Sequence, residues 1–170
     1  GAWDEAWTAP GLTPVGYLDR LGVLSARTLA VHAVRLDAAD RGRLQTRGVT
    51  VVACPRSNER LGVGTAPVAQ LLEEGVPVAL GTDSLASAPD LDPFAELAAL
   101  RRIHRIPPIA ALRVATLNGA RALGLGAELG SIEPGKLARL AVVPVEAGQD
   151  PLETLCAVPP RVHPLERAPR

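Results

Sequence analysis

Two side chains that exchange protons readily stand beside apolar runs of this sequence. His32 falls near the end of residues 28–34, and Asp83 follows residues 76–81. Imidazole and carboxylate groups serve as general acids and bases in enzymes. Cys54 has the chemistry of a nucleophile, but no base is implied near it, so a buried packing role is favoured.

The elements that must position these residues can be read from hydrophobicity. Residues 28–34, 49–54 and 76–81 are continuously apolar rather than alternating, which is typical of strands buried on both faces of a parallel sheet. Asp37 and Gly48 are suited to begin and end a helix between the first two strands. Three successive strand–helix units predict an α/β fold. Since ligands bind at the carboxyl ends of parallel strands, we expect the polar residues that follow the strands to share one face.

The remaining stretches predict loops, helices and one later strand. Residues 55–58 and 82–87 are polar and follow the second and third strands, so we interpret both as loops. Helices are expected over residues 91–102 and 109–123, and a further strand over residues 140–143.

His32 and Asp83 also have simpler interpretations. A single histidine in an apolar run is more often a hydrogen-bonded core residue than a catalytic group. An aspartate after Gly-Thr is often no more than a turn or helix cap. Either residue alone therefore leaves a structural role open.

Composition excludes several classes of protein. The 170 residues contain 18 Lys+Arg and 18 Asp+Glu, a neutral balance that argues against binding to nucleic acid or to an anionic membrane. No apolar run reaches the ~18–20 residues of a membrane span, and no signal-peptide pattern opens the sequence. Cys54 and Cys156 match no zinc or redox spacing, so free thiols in a cytoplasmic protein are expected.

Several separated motifs agree in order with one known family. They are Val31-His32-Ala33, Cys54-Pro55-Arg56-Ser57-Asn58, Gly81-Thr82-Asp83-Ser84, Phe94-x-Glu96-Leu97, Ala115-Thr116-Leu117-Asn118-Gly119-Ala120-Arg121 and Gly130-Ser131-Ile132-Glu133-Pro134-Gly135-Lys136. Over about residues 28–145 the chain resembles the amidohydrolase superfamily, and within it the deaminase and chlorohydrolase branch.

The resemblance implies a metal-dependent active site in a (β/α)8 TIM barrel followed by a small β-sandwich. It implies one divalent metal, Zn²⁺ first and Fe²⁺ second, with Asp83 as a metal ligand that also moves a proton. His32 would contact the attacking water or the group under attack. The substrate pocket would be lined by four further residues, Ser57, Asn58, Ser84 and Ser87.

The sequence also departs from the family pattern. It contains no His-x-His pair and no His-x-x-Glu, so the other metal ligands of the family are absent, and it contains no methionine. Arg139 stands where the family usually has aspartate. We therefore expect a C-terminal fragment that holds strands 6–8 of the barrel. Its expected parts are a partial barrel over residues 1–128, a partial sandwich over residues 129–158 and a disordered tail over residues 159–170.

The function implied for the full-length enzyme is hydrolytic deamination of a purine- or pyrimidine-like heterocycle or nucleoside. A narrower hypothesis names aminodeoxyfutalosine. Two alternatives stay open: a truncated or degenerate remnant without activity of its own, and a nucleotide-binding α/β module without chemistry. The expected partners are a small heterocyclic substrate and water, with no nucleic acid and no membrane, and self-association into a homo-oligomer is left open.

Overall fold

A computed structural model describes residues 8, 10–157 and 163–164. Its main sheet has three parallel strands in the order β1, β2, β3, namely Leu29–Val31, Thr50–Ala53 and Val78–Leu80. Ala30 pairs with Val51 and Val52 pairs with Ala79, so the strands stay in one continuous register. The predicted α/β fold with a parallel sheet is confirmed. The strands are shorter than the apolar runs that predicted them.

The helices of the described residues are α1 (Pro14–Arg20), α2 (Ala38–Arg47), α3 (Pro55–Leu61), α4 (Val68–Glu73), α5 (Pro93–His104), α6 (Pro108–Ala115), α7 (Leu117–Ala122) and α8 (Pro151–Ala157). Helix α2 begins and ends as predicted: Asp37 Oδ1 accepts from the Asp40 amide at 2.7 Å, and Gly48 takes the left-handed conformation at φ 67°. A residue with a side chain is disfavoured at such a position.

Three predictions about local structure need correction. Residues 55–58 are not a loop but the first turn of α3, because Pro55 occupies the first helical position, where its missing amide hydrogen costs nothing. The helix expected over residues 109–123 is two helices that meet at Thr116, whose φ of −124° and ψ of −88° lie outside the helical region. His163 and Pro164, placed by the sequence in a disordered tail, form the short strand β5 (His163–Pro164). It pairs antiparallel with β4 (Ala141–Val142). The other residues of that predicted tail, 159–162 and 165–170, lie outside the described residues.

In the described part of the chain, the hydrophobic core is one cluster formed by the sheet and the helices packed on it. Val51 and Val78 are paired across β2 and β3, and both have no exposed surface. Helices α2, α5 and α6 contribute Leu44, Leu100 and Val114, which are equally buried. Burial of these side chains provides the main stabilisation of the fold. The carboxyl ends of the strands are thereby held on a rigid support.

None of the helices in the described part of the chain has the length and apolarity needed to cross a bilayer.

Candidate active site

The carboxyl edge of the sheet brings together the two residues that the sequence singled out. His32 follows β1 directly, and Asp83 comes three residues after the end of β3. Their side chains approach to 3.6 Å between His32 Nε2 and Asp83 Oδ2, and both are partly exposed, 37% for His32 and 26% for Asp83. A histidine and a carboxylate in reach of each other and of solvent can exchange protons with a small molecule.

The side chains of His32 and Asp83 are oriented by backbone in the left-handed region. His32, Ala33 and Asp83 have φ values of 68°, 44° and 60°. For residues other than glycine this region costs about 1–2 kcal/mol per residue. The turn after β1 is closed by a hydrogen bond from the Ala33 amide to the Val31 carbonyl at 2.9 Å, and the His32 amide donates to the Val52 carbonyl at 2.9 Å. Strained positions of this kind occur often at functional sites.

Asp83 is held as an anion. Its Oδ2 atom accepts from the hydroxyls of Ser57 and Ser87, each at 2.7 Å, and Oδ1 accepts from the Ser84 amide at 2.8 Å. The Ser57 hydroxyl, then Ser87, then the Ser84 amide, with the nearby His32, lower the pKa of Asp83 to about 2. Donors that bind the charged form stabilise it. The carboxylate is therefore ionised at neutral pH.

The His32 ring is oriented by Asn58. His32 Nδ1 lies 2.9 Å from Asn58 Oδ1, a carbonyl oxygen that can only accept. Nδ1 therefore carries the hydrogen in the neutral ring, and Nε2, the atom that faces Asp83, keeps its lone pair. A fixed partner on one ring nitrogen sets the role of the other.

Ser57 and Asn58 come from the first turn of α3 and are almost completely buried, with 0% and 2% of their surface exposed. Buried polar groups are expected to be hydrogen-bonded, and both satisfy this rule through the two site residues. Ser87 is also buried, whereas Ser84 is exposed and binds Asp83 through its amide. All six predicted site residues thus meet at one edge of the sheet.

Cys54 is a packing residue, as the sequence favoured. Only 1% of its surface is exposed. Burial, then the negative charges of Asp83 and Glu96, raises the pKa of its thiol to about 11. The reactive form of cysteine is the thiolate, so this residue is inert near neutral pH.

Sequence reasoning assigned no role to Glu96, although it was part of a quoted motif. Glu96 in α5 has no exposed surface, and its Oε2 accepts from the Arg56 amide at 3.1 Å. The available signal was periodicity: Glu96 lies four residues before the fully buried Leu100, on the same side of a helix. A charged residue at a core-facing position is uncommon unless it is paired.

Asp83 offers one carboxylate to a divalent cation, a donor that zinc accepts. Within the described residues no group of three or more His, Cys, Asp or Glu side chains could hold a metal ion. Asp83 therefore fits one ligand position of a metal site.

Comparison with known proteins identifies the family of this chain. Residues 6–161 match the model of the Amidohydrolase family. The chain belongs to the amidohydrolase family. A relative is the 5-methylthioadenosine/S-adenosylhomocysteine deaminase of Syntrophobacter fumaroxidans, 45% identical over 78% of this chain and 32% of that enzyme's length. Another is the 5'-deoxyadenosine deaminase of Methanothermobacter thermautotrophicus, 44% identical over 82% of this chain and 34% of that enzyme.

Solved structures that are similar to this chain belong to enzymes with related names. The adenosine deaminase of Xanthomonas campestris, determined with zinc bound, superposes with a TM-score of 0.85 and 38% identity over 89% of this chain and 38% of its own. The Escherichia coli guanine deaminase is also similar, with a TM-score of 0.69 and 29% identity. This amidohydrolase chain spans about a third of the length of the curated relatives it matches.

Proposed function

We propose that this chain carries part of the active site of a metal-dependent hydrolase that removes the amino group of a purine nucleoside. The observation that carries the proposal is the convergence of His32 and Asp83 to 3.6 Å, with each side chain held by its own partner on α3. The printed names of the similar enzymes, which are adenosine-type deaminases, support this substrate class.

We assign the narrower substrate class from the same names. They describe nucleosides of adenine altered at the 5' position, such as methylthioadenosine and 5'-deoxyadenosine. A substrate of this class is therefore proposed in preference to aminodeoxyfutalosine. That compound remains a second candidate for the assay below.

Asp83 would be a ligand of the metal, with Zn²⁺ favoured and Fe²⁺ as the alternative. Hydrogen bonds from Ser57 and Ser87 leave its carboxylate fully charged, as a metal ligand must be. A bound divalent cation would supply Lewis acidity and make water more acidic. The other ligands would come from the part of the relatives' length that this chain does not match.

His32 would handle a proton at Nε2. The Asn58 carbonyl fixes the hydrogen on Nδ1, so Nε2 accepts a hydrogen bond in the neutral ring and donates one when the ring is protonated. Because Nε2 lies 3.6 Å from Asp83 Oδ2, one water molecule or substrate atom can contact both atoms. Deamination needs such a pair, since a proton must leave water and reach the departing amine.

The four predicted substrate-binding residues divide into two groups. Ser57 and Ser87 donate to Asp83, and Asn58 accepts from His32, so we assign these three a supporting role. The exposed hydroxyl of Ser84 stays a candidate for contact with substrate.

The place of the chain in the whole enzyme is part of the same proposal. Three parallel strands with a matching α/β neighbour support strands 6–8 of a (β/α)8 barrel. Residues 1–128 would then belong to the barrel and residues 129–158 to the beginning of a β-sandwich, and β4 would be one of the sandwich strands. A cytoplasmic location and self-association remain predictions.

The decisive experiment compares two Asp-to-Asn variants in the product of the complete coding sequence that contains this chain. Zinc and iron content would be measured together with ammonia release from adenosine, 5'-deoxyadenosine, methylthioadenosine and aminodeoxyfutalosine. Asp83→Asn is expected to lose at least 100-fold in kcat and most of the bound metal, because a metal ligand and its charge are removed. The control is Asp19→Asn on α1, which changes an ion pair with Arg47 of α2 and should keep both properties.

Two results would contradict the proposal. If Asp83→Asn keeps its metal and its activity, the site assignment is wrong. If the wild-type protein releases no ammonia and binds no metal, the inactive-remnant interpretation is correct instead. Binding of nucleosides without turnover by a metal-free protein would favour the nucleotide-binding module.

A further inference from the structure

A buried glutamate lies outside the proposed site. Its hydrogen-bonding partner, Arg56, directly precedes two residues that contact the site. Glu96 lies on the buried face of α5 with no exposed surface. Its Oε2 accepts from the Arg56 amide at 3.1 Å, while Oε1 has no hydrogen-bond partner within the described part of the chain. Burying a carboxylate with so little compensation is costly, and it raises the pKa of Glu96. Packing alone would be served as well by leucine.

Helix α3 needs an external partner at its first turn. Cys54, the residue before the helix, makes no side-chain hydrogen bond to it, and Pro55 has no amide hydrogen. The Arg56 amide is therefore the first donor of the helix that requires an acceptor. Its acceptor is Glu96, 40 residues further along the chain. The local sequence provides no side-chain cap, and α5 provides one.

The Arg56 side chain strengthens the same attachment. Its guanidinium donates to both carboxylate oxygens of Asp90, at 2.7 and 2.9 Å, and its Nε lies 3.8 Å from Glu96 Oε1. A bidentate contact of this kind fixes direction as well as distance. The main chain of Arg56 is thus held by α5, and its side chain is held by Asp90 in the segment that precedes α5.

The two residues after Arg56 are those that contact the site. Ser57 donates to Asp83 at 2.7 Å, and Asn58 binds His32 at 2.9 Å. We propose that Glu96 is a positioning residue: it caps α3 from α5 and thereby holds Ser57 and Asn58 against Asp83 and His32. The effect on turnover rests on the proposed deaminase function, whereas the effect on His32 geometry does not.

The kinetic test replaces Glu96 in the complete enzyme. Glu96→Met keeps the length of the side chain and removes the acceptor, and we expect kcat to fall about 10- to 100-fold, with KM within about threefold, since small displacements of catalytic groups have effects of this size. Glu96→Gln, whose amide oxygen can still accept from the Arg56 amide, should recover most of the rate. The matched control is Glu59→Gln on the outer side of α3, where Glu59 pairs with Arg102, and it should match wild type.

A second readout needs no turnover. Imidazole ¹⁵N chemical shifts of His32 report which ring nitrogen carries the hydrogen in the neutral ring. We expect Nδ1–H in wild type, Glu96→Gln and Glu59→Gln, and a mixture of both tautomers in Glu96→Met, because Asn58 is no longer fixed. If Glu96→Met does not fold, Glu96→Asp takes its place, since its shorter side chain withdraws the acceptor and keeps the charge.

The outcomes separate the two proposals. A Glu96→Met or Glu96→Asp protein with wild-type kcat and an unchanged His32 tautomer would overturn the positioning role. Equal losses in Glu96→Met and Glu96→Gln would also overturn it, because the amide should rescue. A wild-type enzyme without deaminase activity would refute the proposed function alone, and the NMR comparison would still decide the role of Glu96.

Discussion

Residues 24–114 and residues 115–155 differ sharply in how they are held. The first region contains the strands and helices that build the core, including Leu44, Val51 and Leu100 with no exposed surface. In the second region, all of which the structure describes, every residue keeps part of its surface exposed. Ile132 there is 86% exposed. Apolar burial therefore stabilises mainly the first region. In the second region, partly buried side chains such as Ala115 and Leu155 pack against the core, and polar contacts add to them.

The second region is held by polar contacts and close backbone packing. Lys136 Nζ donates to the Gly126 carbonyl at 2.7 Å and to Ser131 Oγ at 2.6 Å. Gly130, at φ 91°, packs so closely on α7 that a Cβ there would come within 2.7 Å of the Leu117 Cα. Asn118 joins this region to the sheet by donating to the Val78 carbonyl at 2.9 Å. The candidate site depends on the first region, whose rigidity positions His32 and Asp83.

The largest expected effect is in the core. Leu100→Ala should lower the free energy of unfolding by about 2–5 kcal/mol, because it removes a fully buried side chain and leaves a cavity. Ile132→Ala is the matched control in the second region, and its effect should stay below about 0.5 kcal/mol. Urea denaturation of both variants measures the difference. Equal losses of unfolding free energy in the two variants would show that apolar contacts stabilise both regions alike, and the comparison between the regions would be wrong.

An intermediate effect is expected where the regions meet. Asn118→Ala removes the hydrogen bond to the Val78 carbonyl, and a bond of this kind contributes about 0.5–1.5 kcal/mol. Amide hydrogen exchange should also become faster in residues 117–137 while the exchange of β2 and β3 is unchanged. Leu123→Ala, at a site that is 68% exposed near the end of α7, is the control. Uniformly faster exchange across the sheet would show that the two regions unfold as one unit.

The smallest effect is expected at an ion pair of the first region whose carboxylate, Asp90, is exposed. Arg56 lowers the pKa of Asp90 to about 2, so the pair stabilises the folded state above the ordinary aspartate pKa and loses that contribution as the pH falls toward 2. The difference in unfolding free energy between wild type and Asp90→Asn should therefore be present at pH 6 and shrink between about pH 4 and pH 2. Denaturation curves at each pH test this.

Salt provides the control for Asp90. Because 53% of the Asp90 side chain is exposed, added salt should screen the pair and reduce the difference at pH 6. A difference that grows on acidification would show that another carboxylate dominates.

Much of the candidate site could be predicted because it follows from strand ends. Continuous apolar runs indicate a parallel sheet, and parallel strands bring the residues after them to one edge, so the sequence predicts that His32 and Asp83 share a face of the sheet. The structure adds that they lie 3.6 Å apart there. The first turn of α3 was missed because Ser57 and Asn58 are poor helix formers and their segment is polar. Their contacts with Asp83 and His32 override that local preference.

The sequence by itself determined the type of fold, the helix ends at Asp37 and Gly48, and the residues able to do chemistry. Periodicity and local backbone preference act over a few residues, so the local sequence is enough to determine them. Only the tertiary structure decided that Asp83 is held as an anion by two serines, that Asn58 sets the tautomer of His32, and that Glu96 caps a helix from 40 residues away. Apart from the contact between Ser87 and Asp83, those contacts join segments distant in sequence, and burial on the folded sheet determines which of them form.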